Sequence, residues 1–309
     1  MAFDTRAVTT RTWLLGLALM AACSNSDASE PGYNDAATLD GSSDGQGDAA
    51  AGCAREDLVA LVDDYFSSLE AHDAMLLPLA ADVKITENAK SLKPGQGLWK
   101  KASDVRFKRS AIDTERCGTH TQAILQEDGE DIIVGVRLQL DGDRISEIET
   151  YITHAGDYVT SLGIALFSPD GVIKADELAD SNVDWEEVVP KGQRAMREEL
   201  NQMADLYFES FGPRGIVAPI TEDCYRWENG FQTTFGDCSD FLPEPGTGVD
   251  GFITHRRYPI ADVEQGIAVG YVLFRDSLDF HMFKVVDSKI RLIQAVVTAT
   301  GYSATGWED

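Results

Sequence analysis

Three side chains combine a type suited to proton transfer with a sequence setting that turns them inward. Tyr207 lies on the apolar stripe of an expected helix, Glu228 shares a strand face with Cys224 and Arg226, and His281 alternates with Phe283 and Val285. A carboxylate that takes a proton, beside two donors aimed at one oxygen, is what enolisation needs, because charge leaving carbon must be accepted on an oxyanion. Each residue also has a structural alternative. Tyr207 suits core packing, Glu228 suits an ion pair with Arg226 along the sheet face, and His281 suits a satisfied core position or a titrating switch. Arg256-Arg257 could clamp a carboxylate or pair with local acids, and Trp99 and Trp227 could line pockets or fill core. His72 before Asp73 sits at a helix end, where a cation favours the dipole. No phosphate loop, dinucleotide fingerprint, Gly-x-Ser-x-Gly elbow or His-Glu-x-x-His run occurs, so no cofactor is expected.

The elements that must position these residues occur twice. Asp64-Tyr65-Phe66-Ser67-Ser68-Leu69 leads to Thr86-Glu87-Asn88, and Leu206-Tyr207-Phe208-Glu209-Ser210-Phe211 leads to Trp227-Glu228-Asn229. The two copies close alike, with Gly142 to Glu149 answering Asp287 to Gln294. Helical spacing predicts one helix over Arg55 to His72 and another over Arg197 to Phe211. Strand patterns fall at Val83 to Glu87, His120 to Leu125, Ile132 to Leu140 and Arg144 to Thr153 in the first copy. In the second they fall at Tyr225 to Glu228, Gly251 to Tyr258, Gly266 to Phe274, Phe280 to Val286 and Lys289 to Ala299. A helical opening followed by successive antiparallel strands is an α+β plan. The expected division is a first domain over 53–155, a linker over 156–193 and a second domain over 194–309.

Residues 1–22 read as a signal peptide: Arg6 and Arg11 precede an apolar run that ends in Met20-Ala21-Ala22-Cys23. The cysteine looks like a bacterial lipobox, which implies a lipid on Cys23; an ordinary secretory signal is the alternative. Residues 23–52 are Ser, Asp, Gly and Ala almost throughout and read as a tether. The expected location is therefore the bacterial cell envelope, with the membrane reached only through the lipid, or the exterior. A net charge of -26 repels phosphate backbones, so nucleic acid is not an expected partner. The four remaining cysteines allow three pairings. Pairing within copies, Cys53 with Cys117 and Cys224 with Cys238, gives each copy its own staple, and the lack of any Cys-x-x-Cys spacing argues against a metal.

The helix with Tyr-Phe, the Asp-centred turn, the strand ending in Glu-Asn and the final hairpin resemble the cone-shaped superfamily of nuclear transport factor 2, ketosteroid isomerase and the polyketide cyclases. The whole mature chain also looks like a tandem family of secreted proteins best known from fungi. The residues carrying this are Ala71-His72-Asp73, Gly97-Leu98-Trp99, Asp223-Cys224, Glu228-Asn229-Gly230, Arg256-Arg257-Tyr258-Pro259 and Gly306-Trp307. The resemblance implies two tandem cones, each a curved antiparallel sheet packed on N-terminal helices with a pocket inside. The isomerase's oxyanion tyrosine then falls on Tyr65 and Tyr207, and its general base on Glu87 and Glu228. Its protonated aspartate falls on Val136 in the first copy and on His281 in the second, so only the second copy keeps three polar groups.

On this reading Tyr207, Glu228 and His281 carry acid-base isomerisation, dehydration or cyclisation of a small apolar molecule, while Tyr65, Glu87, Trp227 and Arg256 contribute to ligand binding. The rivals are a non-catalytic surface lipoprotein that binds a ligand or partner, and a purely structural one. The sequence leaves the oligomeric state open.

Overall fold

The computed structural model of the protein describes residues 53–177, 184–234 and 236–307. The expected signal peptide, Cys23 and the expected tether lie outside the described residues.

The two apolar stripes form α1 (Arg55–Glu70) and α3 (Arg197–Glu209). Leu58, Leu61, Val62, Tyr65, Phe66 and Leu69 are buried together because helical periodicity puts them on one face. Neither N-cap residue has a capping side chain, but at α3 the Glu199 carboxylate accepts from the Met196 N–H at 2.8 Å. Glu56, Asp57, Glu198 and Glu199 also place negative charge at the positive ends of the helix dipoles. Each helix is followed by a six-stranded mixed sheet. The first holds β1 (Leu79–Glu87), β2 (Lys90–Leu92), β3 (Ala102–Asp113), β4 (Gly118–Glu127), β5 (Glu130–Asp141) and β6 (Arg144–Thr153), in the order β2-β1-β6-β5-β4-β3. The second repeats that order with β7 (Ile220–Glu228), β8 (Phe231–Gln232), β9 (Ile253–Asp262), β10 (Ile267–Phe274), β11 (Ser277–Val286) and β12 (Lys289–Thr300). The result is α+β. A third helix, α2 (Pro169–Glu177), lies in the segment expected only to bridge the copies.

Several details differ from the sequence expectation, in which the short strands β2 and β8 did not figure. The sheets are not wholly antiparallel: β1 runs parallel to β6, and β7 to β12, because the first strand of each copy returns beside the last after four intervening strands. Strand β3 also escaped the pattern reading, since Asp104, Arg106 and Lys108 give it a charged, exposed face. The Glu-Asn repeat has a structural cause. Asn88 and Asn229 adopt positive φ of 45° and 47° at the strand ends. Each clamps one backbone residue of the neighbouring strand from both sides: Asn88 donates to the Ile152 carbonyl and accepts from its N–H, and Asn229 does the same with Val297. The cysteines pair as expected, Cys53 with Cys117 and Cys224 with Cys238. Disulfides fit an exported protein, and among the described residues no helix is long and apolar enough to cross a membrane.

Both faces of each sheet are covered. Ile112, Leu125, Ile132 and Val134 pack under α1, and Ala268, Val272, Phe283 and Ile293 under α3. The opposite faces meet each other through Ala111, Ile124, Ile133 and Tyr151 from the first sheet and Ile260, Val269, Tyr271 and Phe280 from the second. The layers therefore run helix, sheet, sheet, helix. The copies are related as an isologous pair would be. Arg55 at the start of α1 forks onto Asp262 at the end of β9 (3.0 and 2.8 Å), while Arg197 at the start of α3 pairs with Asp113 at the end of β3. The same two aspartates exchange backbone bonds, Ile112 N–H to Asp262 at 2.9 Å and Ala261 N–H to Asp113 at 3.0 Å. Between the sheets Glu149 accepts from both Arg137 (2.9 Å) and Arg257 (2.6 Å), and His120 Nδ1 lies 2.7 Å from the Tyr271 hydroxyl. Burial pushes the His120 imidazole down to about 3, so it is neutral there.

Candidate functional site

The face of the second sheet that packs under α3 gathers most of the residues whose types suit chemistry. Tyr207 points from α3 onto β11, with its ring centroid 5.6 Å from that of His281 and 5.1 Å from that of Phe283. From β7, Arg226 and Glu228 share the same face, two residues apart as the pleat requires. The Arg226 guanidinium is the centre of the cluster. Its Nε donates to the Tyr207 hydroxyl at 2.9 Å, one amino group donates to Thr233 at 2.8 Å and the other pairs with Glu228 at 2.5 Å. Its flat face lies 3.6 Å from the ring centre of Phe241. His281 Nδ1 stands 3.0 Å from Asp279 Oδ1, but neither atom makes an aligned hydrogen bond. Burial raises the Asp279 carboxyl above its ordinary value, and burial likewise raises the Tyr207 phenol, against the pull of Arg226.

Tyr207, Glu228 and His281 thus lie in one buried cluster, Glu228 joined to Tyr207 through Arg226 and His281 beside the Tyr207 ring, but of the three only Glu228 is in the wall of the cavity described below. Two members of the cluster were missed. Asp279 could have been found by period two, since it precedes His281 by two residues on β11. Arg226 was seen only as a partner for Glu228, and no local signal showed that it would also reach Tyr207.

The other expected ligand residues lie elsewhere. Trp227, next to Glu228 on a strand, points to the opposite face and is buried in the core between the sheets. Arg256 is held on α3 by Asp205 (3.4 Å) and Glu209 (2.5 Å) and borders a separate small cleft of about 190 Å3. In the first copy Tyr65 is buried against Phe66 and Trp99, with ring centroids 5.3 and 5.8 Å away. Glu87 accepts from the Leu98 N–H at 3.0 Å and so pins the turn that carries Trp99 into the same interior. Burial raises the Glu87 carboxyl, and Val136 supplies no third polar group.

A cavity of about 620 Å3 opens beside the second cluster, with Glu228 and Thr233 in its wall and Phe241, Phe252 and Phe274 among its apolar lining. Its outer side is formed by a hairpin from the segment between the copies, Tyr158 to Leu166. Thr160 N–H to Ile164 O (2.9 Å) and Leu166 N–H to Tyr158 O (3.2 Å) close this hairpin. Leu162 at its tip is 83% exposed, so the hairpin is only lightly packed. Asn229 holds one end through the Leu166 carbonyl at 3.2 Å. At the other end His154 bridges Glu127 (2.6 Å) and Asp157 (3.1 Å).

Burial opposes charge on His154, yet the flanking carboxylates of Glu127 and Asp157 outweigh it and raise the imidazole above its ordinary value. The stabilisation from this latch is therefore complete below the unfolded value of about 6.5 and is lost as pH rises through the higher folded value. Amides of residues 157–166, corrected for intrinsic exchange, should lose protection as pH rises from about 6 to about 8, and His154→Gln should abolish the step. Equal corrected protection at both ends of that range would disprove the latch.

Residues 193–297 match a family model described as a domain of unknown function (DUF8021); the matched span runs from just before α3 into β12 and covers the second cluster. None of the curated proteins compared with the chain matches it.

Proposed function

We propose that this is a lipid-anchored exported protein of two tandem cone-fold domains that binds a small, largely apolar molecule in its second domain. The observation that carries the reading is the cavity of about 620 Å3 whose wall combines apolar side chains with the Glu228 carboxylate, Arg275 and Asp276. Binding is favoured over catalysis because Arg226 already engages Glu228 and Tyr207, the base and the donor that enolisation would use. The convergence of Tyr207, Glu228, His281 and Asp279 supports acid-base isomerisation, dehydration or cyclisation as a second reading. No cofactor enters either scheme. The anchor rests on Met20-Ala21-Ala22-Cys23 and the polar tether behind it.

Fluorescence titration with 1-naphthalenemethanol, a neutral bicyclic probe, tests the site. Saturable binding at one site is expected, weakened about tenfold or more by Leu166→Arg, which puts a charged side chain into the cavity wall. Absence of saturable binding, or binding indifferent to Leu166→Arg, would refute the pocket.

A further inference from the structure

The segment from Tyr158 to Pro169 holds no Asp, Glu, Lys, Arg or His, in a chain of which 25% is Asp, Glu, Lys or Arg and whose net charge is -26. Its first part, Tyr158 to Leu166, is the hairpin on the outer side of the cavity, turned by Gly163 at a positive φ of 77°. Val159, Leu162 and Ile164 are 52, 83 and 54% exposed there. No other three exposed large apolar side chains among the described residues lie so close in the chain. A cluster of this kind marks a surface that meets something apolar. The same three side chains, with Leu166, line the cavity behind. The N–H groups of Thr160, Gly163, Ile164 and Leu166 are all paired inside the hairpin, as a segment entering apolar surroundings requires.

Resting on the lipid anchor proposed above, we infer that this hairpin docks on a lipid bilayer, with Leu162 at its tip entering the boundary between headgroups and acyl chains. Charge selects this surface. Anionic headgroups repel the acidic remainder of the chain, whereas the hairpin approaches without an ionised group to desolvate. The length of chain before the fold also allows it, since residues 24–52 separate Cys23 from Cys53 and can span up to about 100 Å. A lipid on Cys23 would hold the hairpin beside the bilayer at high effective concentration, where even a weak insertion is populated. A protein partner fits less well. Three aliphatic side chains fall far short of the ~800 Å2 per partner that a stable interface buries, and a bilayer needs no matching shape. Docking in this way puts the outer wall of the cavity against the lipid.

The test couples the Cys23 thiol of the chain 23–309 to maleimide lipid in neutral phosphatidylcholine vesicles, the other four cysteines being disulfide-bonded. The hairpin is then judged whether or not the cell lipidates Cys23. At one fixed pH, amides of residues 159–165 should exchange at least about tenfold more slowly in the coupled protein than in the free protein. Those of Met75 and Leu76, exposed apolar residues elsewhere, should not change. Leu162→Asp with Ile164→Asp, both at exposed positions, should restore the free rate. Unchanged exchange at 159–165 in the coupled wild type, or slowing that survives the double substitution, overturns the docking. Slowing that appears without vesicles as protein concentration rises assigns the patch to a second copy and overturns it as well. The anchor is judged apart, by whether Cys23→Ser moves the protein out of the cellular membrane fraction; an unchanged distribution refutes the anchor and leaves the docking to the coupled measurement.

Discussion

Asp262→Ala should destabilise the protein by about 3–5 kcal/mol, the cost of removing one member of a buried ion pair and leaving the other uncompensated. Asp262 is fully buried and accepts four hydrogen bonds: two from Arg55, one from the Ile112 N–H and one from the Gln265 N–H at 3.0 Å. Two of the donor groups belong to the other copy, so the substitution loosens the junction between the sheets as well as the end of β9. Asp113 stands in the matching place, accepting from Arg197, the Ala261 N–H and the Arg116 N–H. Asp113→Ala should cost a similar amount. The double substitution should cost less than the sum, because residues 112 and 113 face 261 and 262 and the two clamps share one seam. Glu264→Gln is the control. It removes a half-exposed carboxylate 3.5 Å from the same Arg55, and should cost under about 1 kcal/mol. Urea unfolding at pH 7 measures all four; Asp262→Ala no worse than Glu264→Gln would mean that the cross-clamps do not hold the copies together.

What could be read from the chain follows from which interactions are local. The stripes that became α1 and α3 repeat at helical spacing and needed nothing outside themselves. The disulfides followed from the economy of one staple per copy. Strand β3 was legible only by comparison: Arg109 to Asp113 corresponds to Tyr258 to Asp262, and the second copy's strand was recognised while its charged counterpart was not. The pleat also limits which neighbours can share a pocket. Glu228 inward sends Trp227 outward, so the two could not line one cavity. The role of the segment between the copies lay beyond any local pattern. Tyr158 and Glu228, about seventy residues apart in sequence, line one cavity, and nothing in either neighbourhood announces it. The face between the sheets was equally hidden, because a strand buried on both sides has no polar face to show which partner covers it.

Phe280→Ala, at the centre of that face, should cost about 3–5 kcal/mol, as other buried phenylalanine truncations do. Phe280 is fully buried with its ring 4.5 Å from that of His120, and it lies directly over Gly135 of the first sheet. A Cβ built on Gly135 would stand 2.1 Å from the Phe280 ring, closer than any real contact, so glycine at 135 is what allows the sheets to approach. Gly135→Ala should therefore cost about 1–3 kcal/mol through overpacking. The two effects oppose each other in space: the alanine methyl needs the volume that the missing ring vacates. The double substitution should accordingly be less destabilising than the sum of the singles by about 1 kcal/mol or more in a double-mutant cycle. Substitutions at independent sites would simply add, and a cycle that closes near zero would show that the ring of Phe280 does not rest on Gly135 in solution. A compensating cycle would establish the sheet-on-sheet junction directly, since these residues belong to different copies and meet nowhere else in the fold plan.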